Sequence, residues 1–156
     1  MKVTYALQPI ADMPSIFLVG PTPRSSSVMS WRPEAIQILR DFGFTGQVLV
    51  PEQKVWQSDY LGQVEWEHAG LELASKKGCI AAWVPRDLES MPAFTTNVEF
   101  GLYVKCGRFA YGRPDFAPKN RYLDWLYDKT LGLKPFSELK PLLEFSIYMA
   151  LLPDQF

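Results

Sequence analysis

Two glutamates, Glu99 and Glu67, have the residue type and setting needed for acid, base or nucleophilic chemistry. Glu99 lies in Thr95-Thr96-Asn97-Val98-Glu99-Phe100-Gly101, which follows the apolar run Cys79-Ile80-Ala81-Ala82-Trp83-Val84 across a Pro-bounded loop. This order predicts a strand, a loop and a helix that carries a carboxylate in its first turn. In a parallel α/β sheet such a turn lies at the carboxyl edge, where open sheets bind small ligands. Thr96-x-x-Glu99 is also a capping box, in which the two side chains satisfy exposed amides reciprocally, so a structural role competes with the catalytic one.

Glu67 belongs to Gln63-Val64-Glu65-Trp66-Glu67-His68-Ala69-Gly70-Leu71-Glu72-Leu73-Ala74, a stretch of helical length without proline. At about 100° per residue, Glu65, His68 and Glu72 share one polar face, whereas Glu67 projects between Leu71 and Ala74 towards the core side. A buried carboxylate must be paired, hydrogen bonded, protonated or open to a cleft. Pairing with an arginine is the structural alternative to a catalytic role.

The composition frames these two acids. A chain of 156 residues and 17.8 kDa, 47% hydrophobic and 21% charged, fits one domain, 1–156, with a substantial core and is not disordered. A formal net charge of -1 gives no general electrostatic attraction to a nucleic acid polymer or an acidic membrane, which leaves small molecules as the expected partners. Cys79 and Cys106 form no C-x-x-C pair and have no histidine cluster beside them, so neither a zinc site nor a disulfide framework is expected. The lone histidine, His68, sits on the polar face of its helix, which removes Ser-His-Asp and Cys-His mechanisms. There are no P-loop or dinucleotide fingerprints, and the expectation is a reaction with no metal and no cofactor. No amino-terminal signal and no membrane-spanning apolar run is legible, which points to a cytoplasmic protein.

Short apolar runs alternate with amphipathic segments in the manner of β-α units. Strands are predicted at 15–19, 47–50, 79–84 and near 108–111, with an edge strand at 3–7. Helices are predicted at 32–42, 63–76, 96–105, 120–129 and 137–152. Right-handed crossovers carry the loops after Val19, Val50 and Val84 to one edge of the sheet, where they share a crevice. The first loop, Gly20-Pro21-Thr22-Pro23-Arg24-Ser25-Ser26-Ser27, leads into Trp31-Arg32-Pro33. Its hydroxyls, two arginines and helix start suit a phosphate or sugar hydroxyls, with Arg24 foremost, though any solvated loop contains such residues. Phe94 and Trp31 could stack on a base, or simply pack.

Ile16-Phe17-Leu18-Val19-Gly20-Pro21, the Trp66-Glu67 helix, Trp83-Val84-Pro85-Arg86 and Asn97-Val98-Glu99-Phe100-Gly101 together resemble the nucleoside 2-deoxyribosyltransferase-like superfamily, which includes nucleotide N-glycosidases. The resemblance covers roughly residues 15 to 130 and rests on the order and separation of short motifs. It implies a flavodoxin-like (Rossmann-like) parallel sheet of about five strands with helices on both faces. It further implies that Glu99 is the nucleophile that forms a glycosyl ester, and that Glu67 orients it or the substrate. Gly20, Pro21, Arg24, Trp31, Arg86, Phe94, Thr96 and Asn97 then become candidates for substrate binding. The implied partners are a nucleoside or nucleotide and a free nucleobase, in a homo-oligomer. Where the transferases have a base-contacting Asp a few residues before the nucleophile, this chain has Ala93.

The chemistry suits the residues, because N-glycoside cleavage develops positive charge at the sugar that a carboxylate stabilises and then captures. A helix amino terminus would keep Glu99 ionised, while a half-buried Glu67 with a raised pKa would serve the departing base. Transfer of 2-deoxyribose between bases is the first expectation. A nucleoside or nucleoside-monophosphate N-glycosidase and a catalytically silent nucleotide-binding module are the alternatives. The apolar segment 142–152 is expected either between subunits or in the core of one.

Overall fold

Uninterrupted apolar runs form the strands of this chain, since a strand covered by helices on both faces must be apolar on both sides. The computed structural model describes residues 1–153. The strands are β1 (Lys2–Tyr5), β2 (Ser15–Val19), β3 (Gln47–Val50), β4 (Gly78–Trp83) and β5 (Phe109–Gly112). Every residue of β2, β3, β4 and β5 is buried. All pairings are parallel, in the order β1-β3-β2-β4-β5. Beyond the edge strand β1 this is the flavodoxin-like arrangement. The chain moves outward from β2 to β3 and returns to the other side of β2 at β4, leaving a switch point between β2 and β4.

The helices are α1 (Arg32–Asp41), α2 (Tyr60–Lys77), α3 (Phe94–Tyr103), α4 (Arg121–Leu131) and α5 (Leu139–Ala150), with a 3₁₀ turn at Val104–Cys106. One face of the sheet packs Phe17, Leu49, Ile80 and Tyr111 against Trp66 and Leu71 of α2, Phe100 of α3 and Tyr127 of α4. The other face packs Ile16, Leu18, Val48 and Ala81 against Ala35 and Leu39 of α1 and Leu142 and Leu143 of α5. The inner stripe of α5 is thus core of the single chain, while Tyr148 and Leu151 face outward. Cys79 is buried in this layer. Among the described residues no helix is long and apolar enough to cross a membrane.

Two features of α2 fix where Glu67 stands. The helix begins three residues before the predicted start, because the Asp59 carboxylate accepts a hydrogen bond from the Gly62 amide at 2.9 Å and caps it. Gly70 lets the helix approach β2 closely, since a Cβ there would lie 2.8 Å from the Phe17 ring. The indole Nε1 of Trp66 donates to the Gln8 carbonyl at 2.7 Å, which ties the helix to the loop after β1.

The start of α3 departs from the sequence expectation. Ala93 takes a left-handed conformation (φ 60°), the helix opens at Phe94, and its first carbonyl, that of Ala93, accepts from the Asn97 amide at 3.2 Å. Thr96 is therefore the third helical residue and Glu99 the sixth, in the second turn. No side chain caps this helix, so the capping box does not form. The physical reason lies upstream, where Arg86 donates to the Pro92 carbonyl and holds the chain in its turn, so that the N-cap position falls at Ala93, three residues before the N-cap the Thr-x-x-Glu pattern suggests.

Candidate active site

A cavity of about 680 Å³ opens at the carboxyl edge of the sheet, over the switch point between β2 and β4. Its walls come from the loop after β2 (Gly20, Pro21, Thr22, Arg24), the loop after β3 (Glu52, Gln53, Trp56), and the entries to α2 and α3. Gly20 is required where β2 ends: its φ is +155°, and a Cβ would stand 2.2 Å from the Trp83 carbonyl oxygen, so two strand ends meet there without a side chain between them.

Glu67 and Glu99 both line this cavity, one from α2 and one from α3. Each is half-buried. Gln63 donates from Nε2 to Glu67 Oε1 at 3.0 Å. Burial raises the Glu67 carboxyl above its ordinary range, and the Gln63 hydrogen bond and the Arg32 charge only partly oppose this. Glu99 is shifted further, pushed up to about 8 first by burial and then by the neighbouring Glu67 charge, against the pull of Arg32. The expectation of an ionised Glu99 at a helix amino terminus is thereby corrected. The helix dipole acts within the first turn, Glu99 stands in the second, and desolvation dominates.

Arg32 is the residue that the sequence reading undervalued. As one of the two arginines of the first loop it is expected to meet a phosphate or sugar hydroxyls, yet its side chain is 1% exposed and turned inward. Its Nε donates to the Leu18 carbonyl at 3.1 Å, Nη1 to Thr22 Oγ1 at 2.9 Å and Nη2 to the Gly20 carbonyl at 2.6 Å. Glu52 lies 3.5 Å from Nη1 and is itself held by the Ser30 hydroxyl at 3.0 Å. Burial lowers the Arg32 pKa while Glu52, Glu99 and Glu67 oppose that. The guanidinium is thus committed to the end of β2 and to charge balance beneath the two acids, which leaves no free fork for a phosphate. Its position just before Pro33 at a helix start was the available signal.

The other candidates divide into two groups. Gly20, Pro21, Arg24, Phe94 and Thr96 line the cavity with the two acids. Trp31, Arg86 and Asn97 do not. The Trp31 ring is buried beneath Gly20, with Nε1 donating to the Pro21 carbonyl at 3.1 Å and Arg32 4.9 Å from the ring centroid, so it packs rather than stacks on a ligand. Arg86 is buried and donates to Asn120 Oδ1 at 3.2 Å and to Asn97 Oδ1 at 2.7 Å as well as to Pro92. Arg86 and Asn97 therefore brace the loop that delivers α3. Farther along the edge, Arg113 forms a bidentate pair with Asp124 at 2.8 to 3.2 Å. Residues lining the cavity that the sequence did not single out include Glu52, Gln53, Trp56, Tyr60 and Gln63. They lie in a stretch that reads as ordinary loop and helix start.

The arrangement sets two half-buried carboxylates, each with its pKa raised, from different helices into one solvent-accessible cavity with aromatic walls, over a buried arginine. Such a pair can donate a proton, accept one, or attack an electrophilic carbon. No group of three or more His, Cys, Asp or Glu able to hold a metal ion occurs among the described residues. No protein-family model matches the chain, and a search of curated proteins gives no match either.

Proposed function

We propose that this cavity cleaves the N-glycosidic bond of a nucleoside and transfers 2-deoxyribose to a second base, with Glu99 as nucleophile and Glu67 as its acid-base partner. The observation that carries this reading is the meeting of Glu67 and Glu99, from different helices, in one cavity at the switch point of a flavodoxin-like sheet. Two carboxylates with raised pKa values suit a reaction whose transition state carries positive charge on a sugar and whose leaving base needs a proton. Trp56, Tyr60 and Phe94 offer flat surfaces for a base, and the cavity has room for a nucleoside. The enzyme works on small cytoplasmic metabolites and needs no cofactor.

In the proposed cycle the sugar sits over the floor with C1′ near Glu99. The Glu99 proton first passes to Glu67; the C1′–N bond then breaks as a Glu99 carboxylate oxygen bonds to C1′, and the departing base takes that proton from Glu67. An incoming base then attacks C1′, breaks the ester and returns its proton to Glu67. Hydrolysis is a second reading, favoured by the neutral state of Glu99 near pH 7, in which Glu99 gives its proton to the leaving base as the C1′–N bond breaks, and water bonds to C1′ and passes its proton back to Glu99.

Chromatography of free bases after incubation with ribonucleosides, deoxyribonucleosides and their monophosphates, with and without a second base, tests both. Exchange of bases identifies the transferase, and release without an acceptor identifies the hydrolase. Glu99→Ala is expected to lower either rate by at least about a thousandfold. A melting shift on adding a nucleotide, with no base released, would replace both with a binding module.

A further inference from the structure

Three aromatic side chains at the cavity mouth are left largely bare. Trp56, Tyr60 and Phe94 are 79%, 85% and 70% exposed, yet all three line the cavity whose walls carry Glu67 and Glu99. A cluster of bare aromatic rings at the rim of a pocket marks a surface that something covers. Their faces carry the negative side of the ring quadrupole and attract cations. One of them already does so: the Arg24 guanidinium lies over the Phe94 ring, 5.7 Å from its centroid. Deeper in, the Arg32 charge is spent on two carbonyls, a hydroxyl and Glu52. Glu67 and Glu99 have no ion-pair partner of their own among the described residues.

We propose that the site selects nucleosides whose base is a quaternised, permanently cationic ring, which the aromatic rim holds by its face while Glu67 and Glu99 face its charge and its sugar. This rests on the N-glycosidic reading and narrows its substrate class.

The bond changes balance without a general acid. When the C1′–N bond of such a substrate breaks, its electron pair stays on the ring nitrogen and cancels the positive charge, so the base departs neutral. A Glu99 oxygen forms the new bond to C1′. Water then attacks C1′, its oxygen bonding there as the ester C1′–O bond breaks and returns a pair to Glu99. The water's proton passes to Glu67 or to solvent.

A cationic substrate also removes a conflict within the site. Glu99, pushed up to about 8, is mostly neutral at pH 7 and is then a poor nucleophile. A positive ring beside it favours the carboxylate, so binding expels the proton and arms the attack. The charged and titratable groups around Glu99 are Glu67 on α2, Arg32 on α1 and Tyr103 on its own helix, with Glu52 beyond Arg32 and Arg24 at the mouth.

The test uses the full chain and two pairs of probes. Calorimetry compares 1-methylnicotinamide, a pyridinium cation, with neutral nicotinamide at pH 7 in two buffers of different ionisation enthalpy. Chromatography compares base release from nicotinamide riboside with release from uridine and inosine. The cation is expected to bind about tenfold more tightly than its neutral counterpart and to release close to one proton. Nicotinamide riboside is expected to be cleaved with a kcat/KM at least about tenfold above the neutral nucleosides. Trp56→Ala, at an exposed position, is expected to raise KM about fivefold with little change in kcat. Equal or faster cleavage of uridine or inosine overturns the cationic preference and leaves the glycosidic reading standing. Cation binding with proton release but no cleavage of any nucleoside overturns the glycosidic reading and keeps the cationic ligand. Absence of both binding and cleavage overturns both.

Discussion

Two arginines in this chain, Arg32 and Arg108, are equally buried, at 1% exposure each, and lie at opposite ends of the sheet. Arg108 precedes β5 at the amino edge, and its partners are all backbone carbonyls: Gly78 at 3.4 Å, Met149 at 2.9 Å, Leu152 at 3.2 Å, and Pro153. Among the described residues its Nε has no partner. It places a cation on the carbonyls at the end of α5, where the helix dipole is negative, and so fastens that helix to the sheet. Arg32, at the carboxyl edge, also binds two carbonyls, but its remaining charge faces Glu52 and, at longer range, Glu67 and Glu99. The difference lies in the company. A buried cation surrounded by fixed dipoles holds a fold together, whereas one set among titratable acids also decides how readily those acids keep their protons.

The largest effect that separates the two is on stability. Arg108→Ala strands several buried carbonyls and loses a packed side chain, and is expected to cost about 3 kcal/mol, lowering Tm by roughly 6 to 12 °C. Activity per folded molecule should stay within about twofold. Calorimetry beside base-release assays checks this, and a variant that melts normally but has lost turnover would remove the distinction.

The next effect concerns pH. Glu99 has a folded pKa of about 8, above its ordinary 4.5, so the native state holds a proton that the unfolded chain releases. Stability from this group is fully present below about pH 4.5 and is lost as pH rises through about 8. Glu99→Gln keeps a neutral side chain at every pH. Relative to the natural chain it is expected to gain on the order of 2 kcal/mol between pH 5 and pH 9, less than the full shift implies, because the carboxyl opens onto a solvent-filled cavity. Urea denaturation at both pH values measures it, and a constant difference between the chains would mean that Glu99 is not held neutral.

The smallest effect sharpens the role of Arg32. Lysine keeps the charge but cannot reach two carbonyls, a hydroxyl and a carboxylate at once. Arg32→Lys is expected to move the Glu99 titration up by about one pH unit, equivalent to about 1.4 kcal/mol, as read by NMR of carboxyl-labelled glutamate. Arg108→Lys should leave that titration unmoved. Equal movement in both would show that the titration follows a general loosening of the fold rather than the neighbouring guanidinium.

Much of the architecture was legible because apolar runs and their spacing carry it. Ser15–Val19 and Gln47–Val50 form strands with the predicted bounds, and the loops after Val19, Val50 and Val84 do meet at one crevice. Glu67 stood out because a carboxylate on the apolar side of a helix violates the pattern around it, and it does face the cavity. The misplacements share a cause. Thr96-x-x-Glu99 has the form of a capping box, but Ala93 enters the left-handed region under a loop fastened by Arg86. Trp31 looked like a ligand contact by residue type, and Arg86 and Asn97 through the resemblance, but tertiary hydrogen bonds tie all three into the scaffold.

The sequence by itself determined the β-α alternation and singled out the two acids, because periodicity and the cost of burying charge are local properties of the chain, while the flavodoxin-like class was what the family resemblance implied. Tertiary structure decided the rest: that Glu67 and Glu99 share one cavity, that Arg32 lies beneath them, and that Glu99 holds its proton. Those outcomes depend on distances between segments about thirty residues or more apart and on the water excluded between them, which spacing along the chain does not encode.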